Sequence, residues 1–238
     1  MPRYLPGSKR LAGEVGYAIL PGMWRYLLPS LVLVLAGCTS TSARFPGTEA
    51  LVVAFADDFH SGVLLERTAF PPEMVPSGAP TQTDAPWIVV HFGERRWIIG
   101  EADGYADALR LGMFKGEGGV QLDVVGDWMH RRGGTNPDRI RLWTFPLSAA
   151  GHAALLADLR GWIDQRLPVR SLAPGVAWHV SLYPWALSRN CHDFTISLLM
   201  AGGVPVENRP IMQASSMRQA LDRAWQEHDE VLGEMGRR

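Results

Sequence analysis

An apolar run, Leu31-Val32-Leu33-Val34-Leu35, stops at the small residues Ala36-Gly37 and at Cys38, and so divides the 238-residue chain into a leader and a domain. Trp24-Arg25 lie ahead of the run, and a charged, then apolar, then small-residue order is that of an export signal. Crossing a bilayer takes about 20 apolar residues, and here Arg25 and Pro29 interrupt any longer stretch. Residues 1–37 are therefore read as a signal segment, with Met23 as an alternative start because residues 1–22 are long for its first region. Roughly 200 residues remain, the size of one domain.

The four residues Leu35-Ala36-Gly37-Cys38, placed directly behind the apolar run, resemble the lipobox of bacterial lipoproteins. The resemblance implies that Cys38 becomes the lipid-bearing first residue of an exported chain whose membrane partner is reached through that lipid. Thr39 in the next position, rather than Asp, implies the outer membrane, facing the periplasm. Residues 38–49, rich in Thr and Ser, then read as a tether.

A formal net charge of -1 gives no basic footprint for nucleic acid. The chain has 2 Cys, and lipidation of Cys38 leaves Cys191 as a lone thiol. In an oxidising compartment an unpaired thiol is a liability, so it calls for burial or a use.

From Ala50 the chain alternates between short β-rich runs and turn signals. Strands are expected at Leu51–Phe55, Ser61–Leu65, Trp87–Phe92, Arg96–Ile99, Val120–Val125 and Arg139–Phe145, the third and fourth as a hairpin about Gly93-Glu94-Arg95. Helical spacing marks Tyr105–Phe114, Ser148–Leu167 with Ser148 as N-cap, a segment from Asn190 to Ala201 stopped by Gly202-Gly203, and Ser215 or Ser216 to about His228. The pattern is α+β: an antiparallel sheet with peripheral helices.

Asn190 as N-cap puts Cys191 at the first turn of its helix, where orphan N–H groups and the helix dipole favour a thiolate. A cysteine nucleophile also needs an imidazole as base and a polar group to hold that ring. His60, beside Gly62 whose lack of a side chain leaves room, and His91 are the candidates. His192 follows Cys191 directly, about 100° round the helix, and reads as a surface residue or substrate contact. His130, His152, His179 and His228 read as surface or structural, with His179 in reserve. Asp57-Asp58 read as a solvated turn. No close Cys/His spacing suggests a metal, and no cofactor motif is present.

His60-Ser61-Gly62 followed by Asn190-Cys191-His192-Asp193-Phe194 resembles the circularly permuted papain-like thiol enzymes: permuted NlpC-type amidases, lecithin:retinol acyltransferase-like proteins and PPPDE-type peptidases. Over residues 50–205 the chain resembles a group of bacterial envelope lipoproteins with the same two motifs. The resemblance rests on Asn190 before the Cys, Phe194 three residues after it, and the His strand preceding the Cys helix. It implies a permuted papain-like domain over residues 50–238, with Cys191 as nucleophile and His60 as base. The third residue is His91 or Glu94. The implied activity is a lipid-anchored thiol hydrolase or acyltransferase acting on an amide or ester, with a cell-wall peptide or an acyl group as substrate. The rival expectation is a non-catalytic envelope module that keeps the fold for binding or scaffolding.

The anchor is tested by detergent phase partition. The wild-type protein is expected in the detergent phase and Cys38→Ser in the aqueous phase; equal partition of the two overturns lipidation at Cys38.

Overall fold

Period-two alternation of burial organises the chain. In the computed structural model the described residues are 50–99, 115–126 and 139–235, with side chains described to 229. Seven strands form one sheet: β1 (Ala50–Ala56), β2 (Ser61–Glu66), β3 (Trp87–Glu94), β4 (Gly118–Val125), β5 (Arg141–Leu147), β6 (Arg170–Ala173) and β7 (Val176–Val180). Their spatial order is β5-β1-β2-β3-β4-β7-β6, and every pairing is antiparallel. The α+β architecture with an antiparallel sheet is thus observed. The signal segment, Cys38, the tether and the helix expected over Tyr105–Phe114 lie outside the described residues, as does His130.

One face of the sheet carries Val52, Ala54, Val63, Leu65, Ile88, Val90, Phe92, Leu122 and Phe145, all fully buried beneath helices. The alternate residues Phe55, Leu64, Val89 and Val125 form a smaller cluster on the other face. Helix α2 (Ala149–Trp162) and helix α3 (Cys191–Ala201) pack together, and α3 lies on β2 and β3. Phe194 of α3 stacks on Phe92 with ring centroids 5.8 Å apart, while Trp162 of α2 meets both rings edge-on at 5.1 and 4.9 Å. Such aromatic pairs contribute about 0.5–1.5 kcal/mol each beyond area burial. Helix α4 (Ala214–Met235) covers β1 and β5 through Met217, Ala220, Leu221 and Ala224, spaced on one helical stripe.

Strands β6 and β7 have no counterpart in the sequence reading, and three expected elements differ from it. Arg96–Ile99 is not the second strand of a hairpin; Arg95–Ile98 forms a short helix, α1, because the Glu94 carboxylate accepts the N–H groups of Arg96 and Trp97 and caps it. Strand β3 pairs instead with β2 and β4. Helix α2 stops at Trp162 rather than Leu167, since the Trp162 carbonyl accepts from Leu182 N and Ser181 Oγ, and Ile163 turns into a bridge with Ser181. Helix α4 starts one residue early and runs two turns past His228.

Gly62 is required by contact. It pairs with Phe55 across β1 and β2, and a Cβ there would stand 2.6 Å from the Val90 carbonyl oxygen and 2.7 Å from the Phe55 ring. The expected room beside His60 is in fact filled by Phe55. Gly62→Ala is expected to destabilise the domain by about 1–3 kcal/mol, read as a lowered denaturant midpoint; an unchanged midpoint contradicts the contact.

Candidate functional site

The start of α3 is fixed by a reciprocal cap. Asn190 Oδ1 accepts from His192 N at 2.7 Å and Asp193 N at 3.3 Å, and Asp193 Oδ2 accepts from Asn190 N at 3.0 Å. Asn190 Nδ2 also donates to the carbonyls of Leu187 (2.9 Å) and Ile211 (3.0 Å), tying the helix start to the loops on either side. The cap expected at Asn190 is present, and it puts Cys191 at the first position of α3.

The Cys191 side chain points into the fold, with 8 % of the residue exposed. Burial pushes its thiol up to about 11, and the Asp57 charge adds to that; the backbone N–H groups of Ser61, Cys191 and His192 act in the opposite direction. The lowering expected from the helix start is therefore outweighed by desolvation. Nδ1 of His192 stands 3.9 Å from the sulfur.

His192 is not at the surface, contrary to the sequence reading: it is 3 % exposed. The first turn of α3 runs onto the start of β2, so its position next to Cys191 also faces the sheet. Ser61 Oγ lies 2.9 Å from His192 Nδ1, 3.0 Å from Thr195 Oγ1 and 3.2 Å from the Cys191 carbonyl, which also accepts from Thr195 Oγ1 at 2.8 Å. Burial pushes the His192 imidazole down to about 4, against a smaller upward pull from Asp57. Ser61 and Thr195 escaped the sequence reading. Thr195 lies four residues from Cys191, the spacing at which a side chain bonds back to a helical carbonyl.

His60 ends the turn between β1 and β2. Its Nε2 is 3.0 Å from His91 Nδ1, with the rings edge-on and their centroids 5.0 Å apart. His91 Nε2 is 3.7 Å from Asp123 Oδ2, and Asp123 Oδ1 accepts from Gln121 Nε2 at 2.7 Å. The register explains the row: His91 pairs with Gln121 and Val89 with Asp123, so all four side chains share one face of β3 and β4. That face is the one bearing Val89, not the one bearing Phe92 and α3. Glu94, the alternative third residue, is 2 % exposed and engaged as the cap of α1.

Two of the sequence-selected histidines are thus in contact, and Ser61, next in the chain after His60, bonds the Cys191 carbonyl through its Oγ. His192 Nδ1 stands 3.9 Å from the Cys191 sulfur, and His60 meets His91 and, at 6.2 Å between centroids, Phe55.

The acidic pair of the turn divides. Asp58 faces Arg139 and Arg218 and joins the turn to α4. Asp57 is 4 % exposed, and its Oδ1 accepts from Phe59 N at 2.8 Å and His60 N at 2.6 Å. Reading both as solvated was correct for neither in full.

Comparison with protein-family models, curated proteins and solved structures finds no match to this chain.

The buried His192 makes stability depend on pH. Its folded pKa lies below the unfolded value near 6.5, so its contribution is complete above about pH 6.5 and is lost as pH falls towards about 4, up to about 3 kcal/mol in all. His152, His179 and His228, also lowered by burial, act in the same direction. The denaturant midpoint of the full-length protein is expected to fall on acidification, and less steeply in His192→Gln; equal slopes contradict the assignment to His192.

Proposed function

We propose that this chain is a lipid-anchored thiol hydrolase or acyltransferase of the cell envelope, with a permuted papain-like arrangement of its Cys helix and His strand. Cys191 Sγ attacks an amide or ester carbonyl, His60 takes the thiol proton at Nδ1 and returns it to the leaving group, and a thioester on Cys191 passes the acyl group to water or to an acceptor. His91 holds the His60 ring, and Asp123 holds His91. Of the N–H groups that open α3, those of His192 and Asp193 are taken by Asn190 Oδ1, so the Cys191 N–H is the proposed oxyanion donor. A cell-wall peptide or an acyl group of the envelope is the proposed substrate, reached from the outer membrane through the lipid on Cys38.

The observation that carries this reading is the contact between His60 Nε2 and His91 Nδ1 at 3.0 Å. It engages the ring nitrogen on the far side from Nδ1, as an oriented base requires. The thiol, pushed up to about 11, is protonated at rest, so its proton leaves as the sulfur attacks rather than beforehand.

A second reading, a non-catalytic binding module, is favoured by one observation. Cys191 is buried beside His192, whose own ring is held in the Ser61 network.

Iodoacetamide labelling of Cys191 in the full-length protein separates the two. At neutral pH the His60→Ala variant is expected to label more slowly than wild type by at least about tenfold, with His91→Ala between them. Equal, slow labelling in all three, accelerating only in strong alkali, overturns the catalytic reading and leaves the module.

A further inference from the structure

The turn that delivers His60 is only four residues long, Asp57-Asp58-Phe59-His60, and one carboxylate organises it. Asp57 N donates to the His60 carbonyl at 2.9 Å, closing the turn through the backbone. Asp57 Oδ1 then accepts from both Phe59 N (2.8 Å) and His60 N (2.6 Å). Both polar groups of the His60 backbone are therefore bonded to Asp57. The side chain that does this is 4 % exposed, whereas Phe59, between the two bonded amides, is 83 % exposed. A buried carboxylate in a hairpin turn is costly unless its bonds are needed, and many residue types close a turn of this length at the surface without one.

We propose that Asp57 is a positioning residue for the His60 imidazole: its carboxylate fixes the His60 backbone so that Nε2 meets His91 Nδ1. The inference deepens the Cys-His reading and rests on it for its functional meaning. The geometry it concerns, the His60 to His91 contact, is measurable without any turnover. Asp57 holds His60 from behind through the backbone, and His91 holds it from in front through the ring. Two fixed points determine where the remaining ring atom, Nδ1, is aimed. Without the carboxylate the His60 N–H loses its acceptor, and the ring gains freedom to leave His91. The charge of Asp57 also faces Cys191 and His192; positioning needs the acceptor oxygen and not the charge, which makes the two roles separable.

The test is carbethoxylation by diethyl pyrocarbonate on the full-length, detergent-solubilised protein, read peptide by peptide. Tryptic cleavage at Arg44 and Arg67 isolates His60, and cleavage at Arg67 and Arg95 isolates His91, each as the one histidine of its peptide. The reagent attacks the neutral ring nitrogen, so a His60 ring freed from His91 reacts faster. Asp57→Ala is expected to raise the His60 rate about tenfold, the net worth of one hydrogen bond, with a parallel rise at His91. Asp57→Asn, which keeps Oδ1 and removes the charge, is expected to match wild type. Wild-type rates in Asp57→Ala overturn the proposal, and so does an Asn variant as reactive as the Ala variant.

Unfolding of the Ala variant would reveal itself in faster labelling of the buried His179. Asp57→Glu then decides: it retains the charge but displaces the carboxylate by one methylene, so faster His60 labelling with His179 unchanged is required, and wild-type His60 labelling overturns the assignment. None of these outcomes depends on Cys191. Failure of the catalytic reading appears in the iodoacetamide rates of His60→Ala, and failure of the positioning role in the carbethoxylation of His60.

Discussion

The reciprocal bond between Asn190 and Asp193 is the constraint on which the rest of the candidate site depends. A helix start leaves its first N–H groups without partners, and in α3 these groups lie against the sheet, where water cannot serve them. Asn190 accepts from two of them, and Asp193 returns a bond to Asn190 N. An Asn cap contributes about 1 kcal/mol to helix stability, but here its amide also holds Leu187 and Ile211. Burial raises the Asp193 pKa, while the N–H groups of Asn190 and Ile211 and the charge of Arg189 oppose the rise. The cap thus fixes at once the axis of α3, the direction of Cys191 and the course of the chain into α4.

With α3 fixed, β2 stands between two polar groups. Ser61 faces the helix and gathers Cys191, His192 and Thr195. The row His60, His91, Asp123 and Gln121 belongs to the face of β3 and β4 that carries Val89. Because successive residues of a strand point to opposite faces, adjacent residues His60 and Ser61 can serve different partners. The start of β2 is therefore the one place where the thiol side and the histidine row come within a residue of each other along the chain. Gly62 belongs to the same constraint, since Phe55 and the Val90 carbonyl occupy the volume a side chain would need.

What was legible in the sequence was whatever depends on local period and local bonding. Strands β1 to β5 appear where β-rich runs are bounded by turns, whereas β6, exposed at every position, and its partner β7 carry no such signal; α3 appears where Asn190, the stripe of Phe194 and Leu198, and Gly202-Gly203 all agree. The errors have non-local causes. Arg96–Ile99 has strand-like composition, but the Glu94 carboxylate converts it into a turn of helix, and Gly116 leaves room for that side chain: a Cβ there would lie 2.9 Å from Glu94 Oε1. His192 was placed outside from its angle around the helix alone. Whether a helix start tips towards a sheet is decided by packing of Phe194 on Phe92, which no local pattern reports. The contact of His60 with His91 follows from cross-strand register, and Asp123 and Gln121 were invisible for the same reason. Asp57 was misread because an acidic pair in a turn is solvated in most proteins, and only the fold separates the inward carboxylate from the outward one.

The state of the thiol shows how these constraints combine. Desolvation and the nearby Asp57 charge oppose ionisation of Cys191, and the N–H groups at the helix start favour it. Desolvation prevails because the same packing that brings the N–H groups to the sulfur removes water from it. A thiol in this balance resists the oxidation to which a lone cysteine is otherwise exposed, since the thiolate is the species attacked. Protection at rest and reactivity during attack are compatible if the proton moves as the carbon–sulfur bond forms, because the sulfur then never carries a full charge in a dry site. In the proposed reaction that condition places the whole demand on His60 as base, which must be aimed rather than merely near. A ring held by His91 in front, with its backbone held by Asp57 behind, meets such a demand in a way that a mobile surface histidine does not.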